Sequence, residues 1–157
     1  LFSSKGISYI KVSLPIDESG IIDKFKVFIS KVTSEHAGEP SKDGKFRVIS
    51  RSDVLEPNDV CTDSYLIIGS YDNMQEAKAT LKYLKSKLTR FLLLQSVTYI
   101  NLSKDKFRFV PCQDFTNNSN IDWSKSIAEI DQQLYRKYGL SDEEIAFIES
   151  MIKPMAE

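Results

Sequence analysis

The 157-residue chain is 41% apolar and 27% charged with a net charge of −1, the balance of an ordinary globular protein with one core. No apolar run approaches the roughly 18 residues of a membrane span, and Leu1-Phe2-Ser3-Ser4-Lys5 lacks the charged-then-apolar layout of a secretion signal, so a cytoplasmic setting is expected. A start at Leu rather than Met suggests a fragment of a longer polypeptide.

The small net charge hides an asymmetry. Residues 1–111 carry 17 Lys and Arg against 13 Asp and Glu, whereas residues 112–157 carry 4 against 9. From Lys78 to Arg108 there are 8 basic residues and one acid, Asp105. A polyanion is therefore expected to prefer the middle of the chain and to avoid its end.

The first half predicts strands joined by polar loops. Ile7 to Val12 and Phe25 to Ser30 mix β-branched and aromatic residues, and Phe46 to Ser50 resumes the pattern after a loop over Thr33 to Lys45. Glu56-Pro57-Asn58-Asp59 predicts a turn. Tyr65 to Gly69 is continuously apolar, as in a strand buried on both faces.

At Asp72 the period changes. Asp72 with Gln75, or Asn73 with Glu76, offers a capping box, after which Ala77, Leu81, Leu84, Leu88 and Phe91 recur at helical spacing, predicting one long amphipathic helix from about Met74 to Ser96. Lys78, Lys82 and Lys85 share another face of it, which is equally the ordinary solvated face of such a helix. Tyr99 to Leu102 and Lys106 to Val110 predict a hairpin around Ser103-Lys104-Asp105. Asp114 to Asn120 is expected to link this body, residues 1–116, to a helical tail, residues 117–157. In the tail, Ile127, Ile130, Leu134 and Tyr138 mark a helix stopped by Gly139. Ser141 and Glu144 form a second capping box, with Leu140 and Ile145 as its hydrophobic staple. The fold class expected is α+β: a mixed or antiparallel sheet with one long helix, followed by two tail helices. The tail pair imitates a helix-turn-helix, but Asp142, Glu143, Glu144 and Glu149 would repel phosphates, so packing or subunit contact suits it better.

Catalytic motifs are missing from the sequence. None of the six glycines is spaced as Gly-x-Gly, and there is no Pro-Pro segment, Walker loop or serine elbow. Asp59, Asp63 or Asp72 followed by Glu76-Ala77-Lys78 loosely fits a magnesium nuclease, but such enzymes hold Glu-x-Lys on a strand, and here the pair opens a helix. Cys61 and Cys112 lie far apart without ligand partners, which favours buried thiols over zinc or a redox pair. His36, in a polar segment, is expected at the surface.

Val60 to Ile68 with Gly69, Glu76-Ala77, Tyr83-Leu84-Lys85-Ser86 and Arg90-Phe91 resemble the strand-then-helix core of target-recognition domains in adenine-specific DNA methyltransferases and type IIG restriction-modification enzymes. Phe109-Val110-Pro111, Gln113-Asp114-Phe115, Ile121-Asp122-Trp123, Ile130-Asp131, Leu134-Tyr135 and Lys153-Pro154-Met155 extend the similarity to the tail. The resemblance implies a module that grips double-stranded DNA and reads base edges. It implies no catalysis by the chain itself: methyl transfer or cleavage, with S-adenosylmethionine and Mg2+, belongs to catalytic domains of the same polypeptide. Charge and position nominate Arg47, Arg51, Lys104 and Arg108 for base or phosphate contacts and Lys82 and Lys85 as further phosphate contacts. Arg90, in an apolar helix, is expected to be structural. The competing expectations are a protein-interaction or scaffold domain, and the nuclease.

Overall fold

A computed structural model describes residues 1–11, 13, 17–34, 39–97 and 101–156. Its strands are β1 (Phe2–Ser3), β2 (Gly6–Ile7), β3 (Phe25–Ser30), β4 (Ser52–Leu55) and β5 (Tyr65–Tyr71), and its helices are α1 (Met74–Lys85), α2 (Lys87–Leu94), α3 (Ile127–Tyr138) and α4 (Asp142–Met151). The class is α+β with antiparallel pairing and a two-helix C-terminal tail, as expected. His36 and the strand positions Val12, Tyr99 and Ile100 lie outside the described residues.

The principal sheet has the order β4-β3-β5, both pairs antiparallel. Alternation along β3 decides what covers each face. Val27 and Ile29 join the core under α1 with Ala77, Leu84 and Leu93, whereas Phe28 faces the other way and packs with Leu55, Tyr65 and Phe2. The strand buried on both faces is thus β3, not β5: β5 is a half-buried edge, because only one neighbour pairs with it. Between Val27 and Phe28 the β5 register skips a residue, leaving Ile68 unpaired in a bulge. Lys26, the second residue of this strand, is also buried. Its ammonium donates to the carbonyls of Ile21, Ile22, Lys24 and Glu56, so the cation clamps the preceding loop and the turn after β4. That turn forms as expected, with Asn58 at φ 68° after Pro57 and Asp59 N–H donating to Glu56 O at 3.0 Å.

Three further strand expectations are corrected. Ile7 pairs only in the two-residue ladder β1–β2, Tyr9 is fully exposed, and the described residues 8–11 do not continue the strand. Phe46 to Ser50 makes only isolated bridges, Phe46 to Ile152 and Ile49 to Thr33. The chain reverses at Val48 (φ 69°), where Ile49 N–H donates to Arg47 O across a three-residue turn; a β-branched residue in that region is strained and held by its burial. Third, Lys104–Phe109 is a 3₁₀ helix rather than a strand. Its alternation of charge and Phe serves a different end: Phe107 packs on the core while Phe109 stays exposed.

The long helix is two helices. Ser86, at φ −60° and ψ 150°, ends α1 and caps α2. The break is stabilised from 45 residues away in sequence: the buried Asp131 carboxylate of α3 accepts the Lys87 and Leu88 amides at 2.8 and 3.2 Å, and Ser86 Oγ accepts that of Thr89. All three first-turn amides of α2 are therefore satisfied. Arg90, wholly buried, donates from Nε to the carbonyls of Lys85 and Ser86 and from its terminal nitrogens to Arg47 O and Lys153 O. The structural role expected of Arg90 holds.

The tail follows its caps. Ser126 with Glu129 and Ser141 with Glu144 complete both boxes, and Gly139 ends α3 at φ 64°, ψ 36°. Leu140 and Ile145 pack on the cluster formed by Ile130, Leu134, Tyr135 and Ile148 with Tyr83 and Leu88. The segment before the tail is anchored too: Phe115 stacks against Tyr71, Tyr83 and Trp123.

Replacing Arg90 by Lys removes the planar fork that reaches several carbonyls at once; Arg90→Lys is expected to cost about 2–4 kcal/mol in denaturant unfolding. Burial pushes the Asp131 carboxyl up to about 6 from 3.8, against the pull of the two amides and of Arg90. Between those values the folded protein keeps a proton that the unfolded chain releases, so this group's contribution to stability falls as pH rises. Raising pH from about 5 to 7 should remove roughly 1 kcal/mol of stability that Asp131→Asn does not lose, read as the difference between the two unfolding curves.

Candidate nucleic-acid interface

Where β3 ends, residues Lys31–Ser34 form a seam to which three other segments are stitched. Ser30 N–H donates to Arg51 O at 2.8 Å, Lys31 N–H to Ser64 O at 3.0 Å, and Leu102 N–H to Lys31 O at 2.6 Å. Val32 pairs with Asn101 and Thr33 with Ile49, and Ser50 Oγ donates to Val32 O. The stretch holding Arg47 and Arg51 thus meets the seam from one side. Leu102, which leads into the turn holding Lys104 and Arg108, meets it from the other.

Arg47, Arg51, Lys104 and Arg108 are all exposed. Arg51 is pre-oriented: its guanidinium donates to the Tyr65 hydroxyl at 3.0 Å and stands 5.7 Å from that ring's centre, while Tyr65 in turn donates to Ser3 O. Arg108 lies 4.9 Å from the ring of exposed Phe109. Acids are also present. Asp63 pairs with Lys31, and Asp105, whose carboxyl the Ser103 hydroxyl holds below its usual value, lies 3.6 Å from Lys106.

Lys82 and Lys85 sit elsewhere, half-buried on α1. The Lys82 ammonium donates to Ser124 O and Lys125 O at 3.4 and 2.6 Å, tying α1 to the loop before α3. With Lys78 it borders a groove of about 770 Å³ walled by Asn117, Asp122 and Trp123. Trp123 already donates to Asp114 O and Ser119 Oγ there. Sequence reasoning missed Tyr65 as the support of Arg51 and Lys31 as the seam residue, since both depend on strand order that the local pattern does not encode.

The carboxylates of the nuclease pattern are already engaged. Glu76 closes the cap with Asn73, Asp72 pairs with Lys24 at 2.6 Å, and Asp59 accepts from Glu56 N–H. Among the described residues no three His, Cys, Asp or Glu side chains are grouped to hold a metal ion, and no helix is long and apolar enough to cross a membrane. No family model, no curated protein and no solved structure matches the chain.

The two thiols differ, correcting the expectation that both are buried: Cys112 is exposed and Cys61 half-buried. Burial pushes the Cys61 thiol up, leaving it less thiolate at neutral pH. Brief treatment with iodoacetamide should label Cys112 first, with Cys61 lagging about tenfold or more by peptide mass spectrometry.

Proposed function

We propose that the chain is a sequence-specific recognition module for double-stranded DNA, acting in the cytoplasm within a type II restriction-modification enzyme. In this reading the catalytic domains of the same polypeptide bind S-adenosylmethionine and Mg2+ and carry out methylation or cleavage. The observation that carries it is the seam, where Ser30 N–H holds Arg51 O at the end of β3 and the segments of Arg47, Lys104 and Arg108 are attached. An arginine already oriented on a tyrosine loses little side-chain freedom on meeting a guanine edge or a phosphate. The exposed acids Asp142, Glu143 and Glu144 at the start of α4 disfavour a polyanion at that helix and so help to orient the duplex.

A labelled duplex should bind with micromolar affinity at low salt, on the order of 10⁻⁶ M, and weaken with a log–log salt slope of about −3 to −4 if some four phosphates are contacted. Arg51→Ala is expected to weaken binding about tenfold, an effect within the range of a lost arginine contact. Lys82→Ala, which loses an internal tie, should change it less than about twofold. Fluorescence anisotropy measures all three; salt-insensitive or absent binding would remove the DNA reading and leave a protein-interaction domain.

A further inference from the structure

A separate opening lies between α1, β5 and the strand-like segment that follows the 3₁₀ turn. Tyr83 donates its hydroxyl to Pro111 O at 2.7 Å and fixes that segment's distance from the helix. A cavity of about 490 Å³ remains, walled by Tyr71, Tyr83, Phe107 and Phe115, a size usual for small-ligand pockets, which run roughly 300–1,000 Å³. Gly69 makes room for one wall: a Cβ there would lie 2.6 Å from the Tyr71 hydroxyl oxygen, so any side chain would displace the ring. Lys104 borders the opening, exposed, and among the described residues its ammonium has no partner.

Aromatic walls favour a flat aromatic ligand, and an uncompensated ammonium at the mouth favours an anion attached to it. A nucleobase joined to its phosphate combines the two. We propose that this cavity is a nucleotide pocket, with the base among Tyr71, Phe107 and Phe115 and the phosphate on Lys104. The nucleotide is an unpaired one of the bound DNA, and on that point alone the inference rests on the function proposed above. Lys104 belongs to the turn that follows Leu102, so the pocket is continuous in the chain with the seam that would hold the duplex.

The test compares three probes on the full chain: a fully paired duplex, the same duplex with a one-base bulge, and free dTMP as competitor. Wild type should bind the bulged duplex about tenfold more tightly than the paired one, the scale of one base stacked on aromatic side chains. Cys112→Trp, which places an indole at the exposed rim, should abolish that preference while leaving paired-duplex affinity unchanged; Lys104→Gln should weaken dTMP competition. Equal binding of bulged and paired duplexes, with no competition by dTMP, overturns the pocket while DNA binding stands. Binding of dTMP without binding of either duplex upholds the pocket's chemistry and removes the duplex reading. A bulge preference that persists in Cys112→Trp also overturns the assignment, because the extra base would then be held elsewhere.

Discussion

The fold turns on one buried polar junction, the meeting of Asp131 and Arg90 at the break between α1 and α2. Asp131 receives the first amides of α2, and Arg90 collects carbonyls from the end of α1, the Val48 reversal and the C-terminal segment. Each group alone would be a costly buried charge. Together they satisfy backbone groups that a helix end and an irregular loop leave without partners. Around them Lys87 pairs with Glu149, which also accepts from Tyr135 at 3.0 Å, while Lys45 reaches the Glu149 carbonyl. The tail helices are consequently part of the scaffold that holds the sheet and helix layer.

This junction also explains which parts of the fold were legible from sequence. Caps, the glycine stop and the hydrophobic staple of the tail are local signals, set by residues three to five apart, and the structure realises each of them. Phe25–Ser30 was legible because its β-branched and aromatic residues are packed on both faces. The break at Ser86 was not: Leu84, Leu88 and Phe91 keep helical spacing straight through it, and its stabilising partner lies on another helix. Lys106 to Val110 looked like a strand because charge and Phe alternate. Among the described residues no neighbouring strand pairs with it, and the backbone closes its hydrogen bonds locally in a 3₁₀ turn.

The same distinction applies to charge. Counting residues exaggerates the cationic character of the first two-thirds of the chain, since Lys26 and Arg90 are buried among carbonyls and Lys24 and Lys31 are paired with acids. Lys82 donates to carbonyls of the loop before α3. The exposed set, Arg47, Arg51, Lys104 and Arg108, was legible as residue types in loops and supposed strands. Their relation to the seam was not, because it arises from hydrogen bonds between segments as far apart as Lys31 and Leu102. Nor was the support given to Arg51 by Tyr65, which the apolar run around that tyrosine disguises as simple core.

The bridge between Phe46 and Ile152, with Met151 O accepting from Phe46 N–H and Phe46 O from Lys153 N–H, bears on the route by which the molecule assembles. Two stretches more than a hundred positions apart must meet before the Val48 reversal and the guanidinium beside it are enclosed, and the chain entropy lost in closing so large a loop comes before most of the contacts that compensate it. Without the segment of Ile152 the core against Val27, Ile29 and Val48 is incomplete. Closure of the core therefore draws on segments far apart in sequence, and the tail is no appendage on a finished body.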